Sequence, residues 1–269
     1  MEKTDVSGVI KNFINKMGYV ENEHVIGCLF YGSYLTGYNT KTSDIDLHII
    51  FDDTDPEHLI RGNDHVDGYR IEYFEKPLSD IYKSIDNGFS NQDNSLLSII
   101  GTAYVLFDKT GEIEKVQAYA REKFSKPLHP ISMERAREMV SILDNRMARL
   151  EKVAMSGSLY FNHLYHLTIE KIRKFYHKLN GFPEIQTSKV DRIYTDKAYR
   201  ESFYKSNIPE PEFIEKYLSA VTDPGTDRMA QLEKAQDLYR YATRNVDLQK
   251  ESYRIKIKSR NCIDFYTGK

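Results

Sequence analysis

Tryptophan is absent from this sequence, and cysteine occurs only as Cys28, inside an apolar run, and Cys262, near the end. Two such thiols give neither a disulfide framework nor the ligand spacing of a zinc site, so both are expected in reduced form. Also missing is any uninterrupted apolar run approaching the length that crosses a bilayer, and no membrane insertion is expected. The opening residues Met1-Glu2-Lys3-Thr4-Asp5 lack the basic and apolar regions of a secretory signal, which points to the cytoplasm. Nor is one sign of charge in excess. With 38 basic and 40 acidic residues the formal charge is −2, which gives no global attraction to nucleic acid, and no nucleic-acid partner is expected. Internal repeats and low-complexity segments are lacking too.

What is present is the composition of a folded globular chain. The 269 residues are 40% apolar and 29% charged, enough for one large domain or two modest ones. The aromatics are 20 Tyr and 13 Phe. Most of the tyrosines lie in expected helices, where the ring enters the core and the hydroxyl stays at its edge.

Val6, Val9, Ile10, Phe13, Ile14 and Met17 recur at helical spacing before Gly18, which predicts a first helix. His24–Tyr31 and Ile45–Phe51 are short apolar runs and read as strands with at least one buried face. Asp67-Gly68, followed by the alternating run Tyr69–Phe74, is a hairpin signal. Helices are expected from Pro77 to Asn87 and over Asn94–Thr102, then a strand over Tyr104–Phe107 before the turn Asp108-Lys109-Thr110-Gly111. Lys126-Pro127-Leu128-His129-Pro130 breaks this pattern, and the boundary is placed there. Residues 1–126 are expected to be an α+β domain with a small twisted mixed sheet, and residues 127–269 a helical bundle. In the second half one apolar stripe runs from Met133 to Val153 and ends at Gly157; another runs from Leu164 to Leu179 and ends at Gly181. Shorter helices are expected over 188–204 and 211–221, a longer one over 227–247, and a last strand over Tyr253–Lys258.

The chemistry is concentrated in two short motifs. In Asp44-Ile45-Asp46-Leu47 strand alternation puts both aspartates on one face and sends Ile45, Leu47, Ile49 and Phe51 to the other, toward a core. Carboxylates held close together on a strand suit Mg2+, an ion that favours oxygen ligands and substrate phosphates, and two such ions can clamp the attacking and leaving oxygens of a phosphoryl group. Gly32-Ser33 closes the preceding strand where a short helix should begin at Tyr34-Leu35. Glycine lets the backbone approach a phosphate, the Ser33 hydroxyl can donate to it, and the first helical amides point outward. Glu72 shares a face with Arg70 in Tyr69-Arg70-Ile71-Glu72-Tyr73-Phe74. If that strand lies beside the aspartate strand, Glu72 completes a metal cage or takes a proton from an acceptor hydroxyl. Otherwise it is a surface carboxylate paired with Arg70.

Tyr31-Gly32-Ser33, a ten-residue gap and Asp44-Ile45-Asp46-Leu47 together resemble the motif of the DNA-polymerase-β-like nucleotidyltransferases. The stretches Leu29–Gly37 and Thr42–Leu47 look especially like the bacterial aminoglycoside and lincosamide nucleotidyltransferases. That resemblance implies transfer of a nucleoside monophosphate, usually AMP from ATP, to a hydroxyl of a small molecule, with pyrophosphate leaving. It implies Asp44 and Asp46 as catalytic metal ligands, Gly32 and Ser33 on the triphosphate, Mg2+ and ATP or another nucleoside triphosphate as cofactor and co-substrate, and Glu72 as third acid and base. The implied partners are the triphosphate and a hydroxylated small molecule; a homodimer is compatible with the sequence. The helical half, where acceptor specificity would reside, resembles the family's bundles only in kind. Two other readings stay open: modification of a protein by AMP, and a nucleotide-binding module without turnover.

Several further residues are weighed against plainer roles. Ser43 reads as a turn residue, Lys41 as a loop cation able to lean over phosphate, and Arg70 as a structural partner. His163, His166 and Glu170 recur at helical spacing but lack a fourth ligand, and read as polar positions on a helix. Arg173 and His177 are one residue too close for the Arg…His ribonuclease motif of bundles that partner small nucleotidyltransferases. Asp93 and Glu138, alternative bases, read as capping or solvated acids.

Overall fold

In the computed structural model, which describes residues 5–91, 93, 95–203, 207–223 and 227–247, the chain opens with helix α1 (Ser7–Met17), strand β1 (Val25–Tyr31), the single-turn helix α2 (Ser33–Thr36) and strand β2 (Ile45–Phe51). A hairpin of β3 (Ile60–Val66) and β4 (Tyr69–Pro77) follows, then α3 (Leu78–Ser90), α4 (Ser95–Thr102), β5 (Tyr104–Asp108) and α5 (Glu112–Ser125). The remaining described elements are helical: α6 (Met133–Met155), α7 (Phe161–Asn180), a 3-10 turn at Thr187–Lys189, α8 (Val190–Thr195), α9 (Lys197–Ser202), α10 (Pro211–Thr222) and α11 (Arg228–Thr243). The fold is α+β, with a mixed sheet in the N-terminal part and helices after it.

The five-stranded sheet has the order β3-β4-β2-β1-β5. β2 pairs antiparallel with β1 and parallel with β4, and the β3-β4 hairpin closes one edge. Asp67 (φ 51°) and Gly68 (φ 82°) make the two-residue turn of that hairpin, both in the left-handed region that such turns demand. Alternation along β2 divides the sheet into two faces. Ile45, Leu47, Ile49 and Phe51 pack with Ile10, Phe13 and Ile14 of α1. Ile50 packs instead with Leu29 of β1 and with Ile81, Ile85, Leu97, Ile100, Ile113 and Val116 of α3, α4 and α5. Burying both faces explains why β1 and β2 read as nearly continuous apolar runs.

By density of contacts the described residues up to Pro130 group with Tyr176–Leu218, and Ile131–Phe175 group with the described residues from Ser219 onward. In the second group Val140, Leu143, Leu150, Tyr165, Ile169, Ile172, Leu232 and Leu238 are buried, and the Tyr165 hydroxyl donates to the Ala220 carbonyl at 2.8 Å. Asp227 caps α11, accepting from the amides of Met229 and Ala230 at 2.8 and 2.9 Å. The helix expected over 188–204 is broken at Asp196, whose extended backbone and carboxylate start α9 by accepting from the Tyr199 amide. Among the described residues no helix is long and apolar enough to cross a membrane. The strand expected over Tyr253–Lys258 and the Cys262 thiol lie outside the described residues.

Candidate active site

The end of β1 and the start of β2 lie side by side, with Tyr31 opposite Asp46. Gly32 leaves β1 at φ 86°, ψ −159°, a conformation nearly closed to residues with a side chain, and Ser33 begins α2. The glycine is also required by space: a Cβ at Gly32 would stand 2.0 Å from Asp46 Oδ2 and 2.9 Å from its Cγ. The Gly-Ser turn and the aspartate strand therefore meet in direct contact.

On the other side of β2 the parallel ladder pairs Asp46 with Glu72. Asp44, Asp46 and Glu72 are thus brought to one end of the sheet. Their electrostatics register the crowding, because the Asp46 carboxyl is pushed up to about 7 by burial first and then by the Glu72 and Asp44 carboxylates; Lys189 opposes the shift. The arginine partners differ from the pairing considered for Glu72. Arg61 of β3 donates through Nε to Glu72 Oε1 at 2.8 Å, with a second bond from Nη2, whereas Arg70 Nε lies 3.7 Å from Asp44 Oδ1. Among the described residues no three His, Cys, Asp or Glu side chains converge as a ready metal cluster. The donors are all oxygens and their mutual repulsion is of the kind a divalent cation relieves, so Asp44 and Asp46 fit a hard ion such as Mg2+. Both Arg61 bonds fall on Glu72 Oε1, so Arg61 leaves Glu72 Oε2 available to a cation.

A cavity of about 1090 Å³ opens beside these groups, lined by Gly32, Ser33, Asp44 and Asp46 on one wall. Its other lining includes Lys189 from the 3-10 turn, Arg192 from α8, Tyr199 from α9, Phe203 just after it, and Tyr38. The Arg192 guanidinium lies 3.9 Å from the Tyr199 ring centre and 5.1 Å from that of Tyr38, and Lys189 Nζ is 5.1 Å from that of Phe203. These cation–π contacts orient the two cations without neutralising them. Sequence reasoning missed Lys189, Arg192 and Arg61. Only Arg61 left a signal: the two-residue turn at Asp67-Gly68 sets Arg61 opposite Phe74, hence diagonal to Glu72.

The other weighed residues have structural partners. Ser43 Oγ accepts from the Thr40 amide at 2.8 Å and shapes the loop before β2. Asp93 accepts from the Ser95 amide at the start of α4, and Glu138 pairs with Arg135. His163 and His166 are exposed, and Glu170 pairs with the buried Arg173 at 2.9 Å. The His177 ring bridges the Pro183 carbonyl (2.7 Å) and the Tyr194 hydroxyl (2.6 Å) in the core.

Residues 14–110 match the family described as polymerase beta, nucleotidyltransferase. Among solved structures, a nucleotidyltransferase-like protein from Exiguobacterium sibiricum 255-15 aligns with a TM-score of 0.46 at 10% identity, covering 89% of this chain and 75% of that one. No curated protein matches the chain. The matched stretch, residues 14–110, holds Gly32, Ser33, Asp44, Asp46 and Glu72, and over it the chain is similar to the polymerase beta nucleotidyltransferases.

Proposed function

We propose that the protein transfers a nucleoside monophosphate, AMP from ATP in the first instance, to a hydroxyl of a small molecule and releases pyrophosphate. The observation that carries this reading is the contact between Gly32 and the Asp46 carboxylate at the mouth of a cavity that also holds Lys189 and Arg192. A triphosphate needs backbone approach, a metal-binding acid pair and compensating cations in one place, and these residues supply all of them.

Asp44 and Asp46 would hold Mg2+, two ions in the full reaction, which when bound polarise the α-phosphate and offset charge on the leaving pyrophosphate. Gly32 and Ser33 receive the β- and γ-phosphates, and Lys189 and Arg192 balance their charge from the opposite lining. Glu72, whose Oε1 is held by Arg61, contributes a further ligand through Oε2 or takes the proton of the acceptor hydroxyl. The acceptor oxygen bonds to the α-phosphorus, and the bond from that phosphorus to the α–β bridging oxygen breaks with its electron pair leaving on pyrophosphate. Aminoglycosides and lincosamides, the substrates of the enzymes the motif resembles, enter the acceptor panel as its cationic members.

The test is pyrophosphate release with ATP, GTP, CTP and UTP against a panel of hydroxylated small molecules. Asp44→Asn and Asp46→Asn should each remove release while the protein stays folded by circular dichroism. Near wild-type release from either variant would overturn the assignment.

A further inference from the structure

We propose that the acceptor binds in a second cavity that shares Asp44 with the first, and that this cavity selects a hydroxylated anion; the inference rests on the nucleotidyl-transfer reading. The second cavity measures about 710 Å³, a size suited to a small molecule. It shares Thr42, Ser43 and Asp44 with the larger one but not Gly32, Ser33, Asp46, Lys189 or Arg192. Asp44 therefore stands at a junction between a cavity equipped for a triphosphate and one that is not. An acceptor whose hydroxyl reaches that junction comes up against the α-phosphate.

Charge decides what the second cavity accepts. Lys41, His65 and Arg70 line it, and among the described residues Asp44 is its only lining carboxylate. The acids of the neighbouring hairpin are engaged elsewhere: Asp64 takes Lys16 Nζ at 2.5 Å, Asp67 takes Asn12 Nδ2 at 2.7 Å, and neither lines the cavity. Arg70 is half exposed and lies 3.7 Å from Asp44, so its guanidinium keeps donors available for a ligand. Tyr34 and Tyr69, edge to face with ring centres 6.1 Å apart, add an aromatic surface for the body of that ligand. A polycation meets Lys41 and Arg70 unfavourably, while a carboxylate or phosphate pairs with them and leaves a hydroxyl free to point toward Asp44. In the transfer itself the acceptor hydroxyl loses its proton to a carboxylate of the acid set as the new phosphorus–oxygen bond forms and pyrophosphate departs.

The test uses the full chain with Mg2+ and non-hydrolysable α,β-methylene-ATP, and a matched sugar series: glucose 6-phosphate, glucuronate, glucose and glucosamine. Calorimetry should rank the two anions at least about tenfold tighter than glucose, and glucosamine weakest. Lys41→Glu and Arg70→Gln should each erase that order. No preference for the anions at millimolar concentration, tightest binding by glucosamine, or an unchanged order in both variants would overturn the proposal. Nucleotide affinity measured without sugar separates the two readings. Its absence contradicts the nucleotidyl-transfer reading and the acceptor role with it, whereas nucleotide binding without an anion preference contradicts only the acceptor assignment.

Discussion

Gly32 has no room for a side chain, because Asp46 Oδ2 occupies the space 2.0 Å from where its Cβ would be. One glycine thus sets how closely the Gly-Ser turn approaches the acid strand. Everything proposed for the donor half of the reaction depends on that approach.

Gly32→Ala is the sharpest structural test of this relationship. The substitution meets both a backbone at φ 86° and the displacement of Asp46. We expect a loss of about 2–3 kcal/mol in urea unfolding and a fall in turnover of about a hundredfold or more. Turnover within about twofold of wild type would show that the close approach is dispensable.

Asp46 should weaken the fold when no divalent ion is present. Its carboxyl rises from 3.8 to about 7 in the folded protein. Between those values the folded state holds a proton that the unfolded chain has released, so stability falls as pH rises through the window. Asp46→Asn should therefore raise unfolding free energy in EDTA near pH 8, by about 2 kcal/mol after allowance for partial exposure. The advantage should vanish below about pH 4. Thermal melts of both proteins across that range check the sign, and an advantage that grows on acidification would contradict it.

His48 should make the fold acid-labile. It is buried on β2 between Tyr31 and Phe74, ring centres 5.0 and 5.3 Å away, with Nδ1 lacking a hydrogen-bond partner. Burial, with a smaller effect of Lys76, lowers its pKa from 6.5 to about 3. Below about pH 6.5 the unfolded chain takes up a proton that the folded protein refuses, so stability is present above that value and lost as pH falls toward 3. His48→Phe should remove one proton from the slope, about 1.4 kcal/mol per pH unit, in denaturation between about pH 4 and 6. An unchanged slope would place the acid sensitivity elsewhere.

Glu75 separates stability from activity. It is buried on the sheet face opposite His48, accepts from the Tyr19 hydroxyl at 2.6 Å and pairs with His58 Nε2 at 2.7 Å. Glu75→Ala strands both partners and should cost about 3 kcal/mol, with Glu75→Gln nearer 1. Turnover measured below the melting temperature should stay within a few-fold of wild type.

Much of this architecture was legible because apolar alternation is a local signal. β1, β2 and β4 announce themselves by their runs, the Asp-Gly turn sets the hairpin register, and Gly18, Gly157 and Gly181 follow helices as expected. The meeting of Gly32, Asp46 and Glu72 at one sheet end follows from that local grammar once β4 lies beside β2. What stayed hidden depends on contacts distant in sequence. β3 is largely polar and mostly exposed, so its ladder with β4 rather than its own pattern makes it a strand. Lys189 and Arg192 sit in a segment whose short helices resemble any amphipathic surface turn, and nothing local tells that they line the cavity beside Asp46.

The most direct test of the central claim follows both ends of ATP in one reaction. With Mg2+ and a competent acceptor, α-labelled ATP should leave its label on the acceptor, γ-labelled ATP should release its label as pyrophosphate, and Asp46→Asn should abolish both. Release of the γ-label as inorganic phosphate, or label transfer that survives Asp46→Asn, would contradict nucleotidyl transfer at this site.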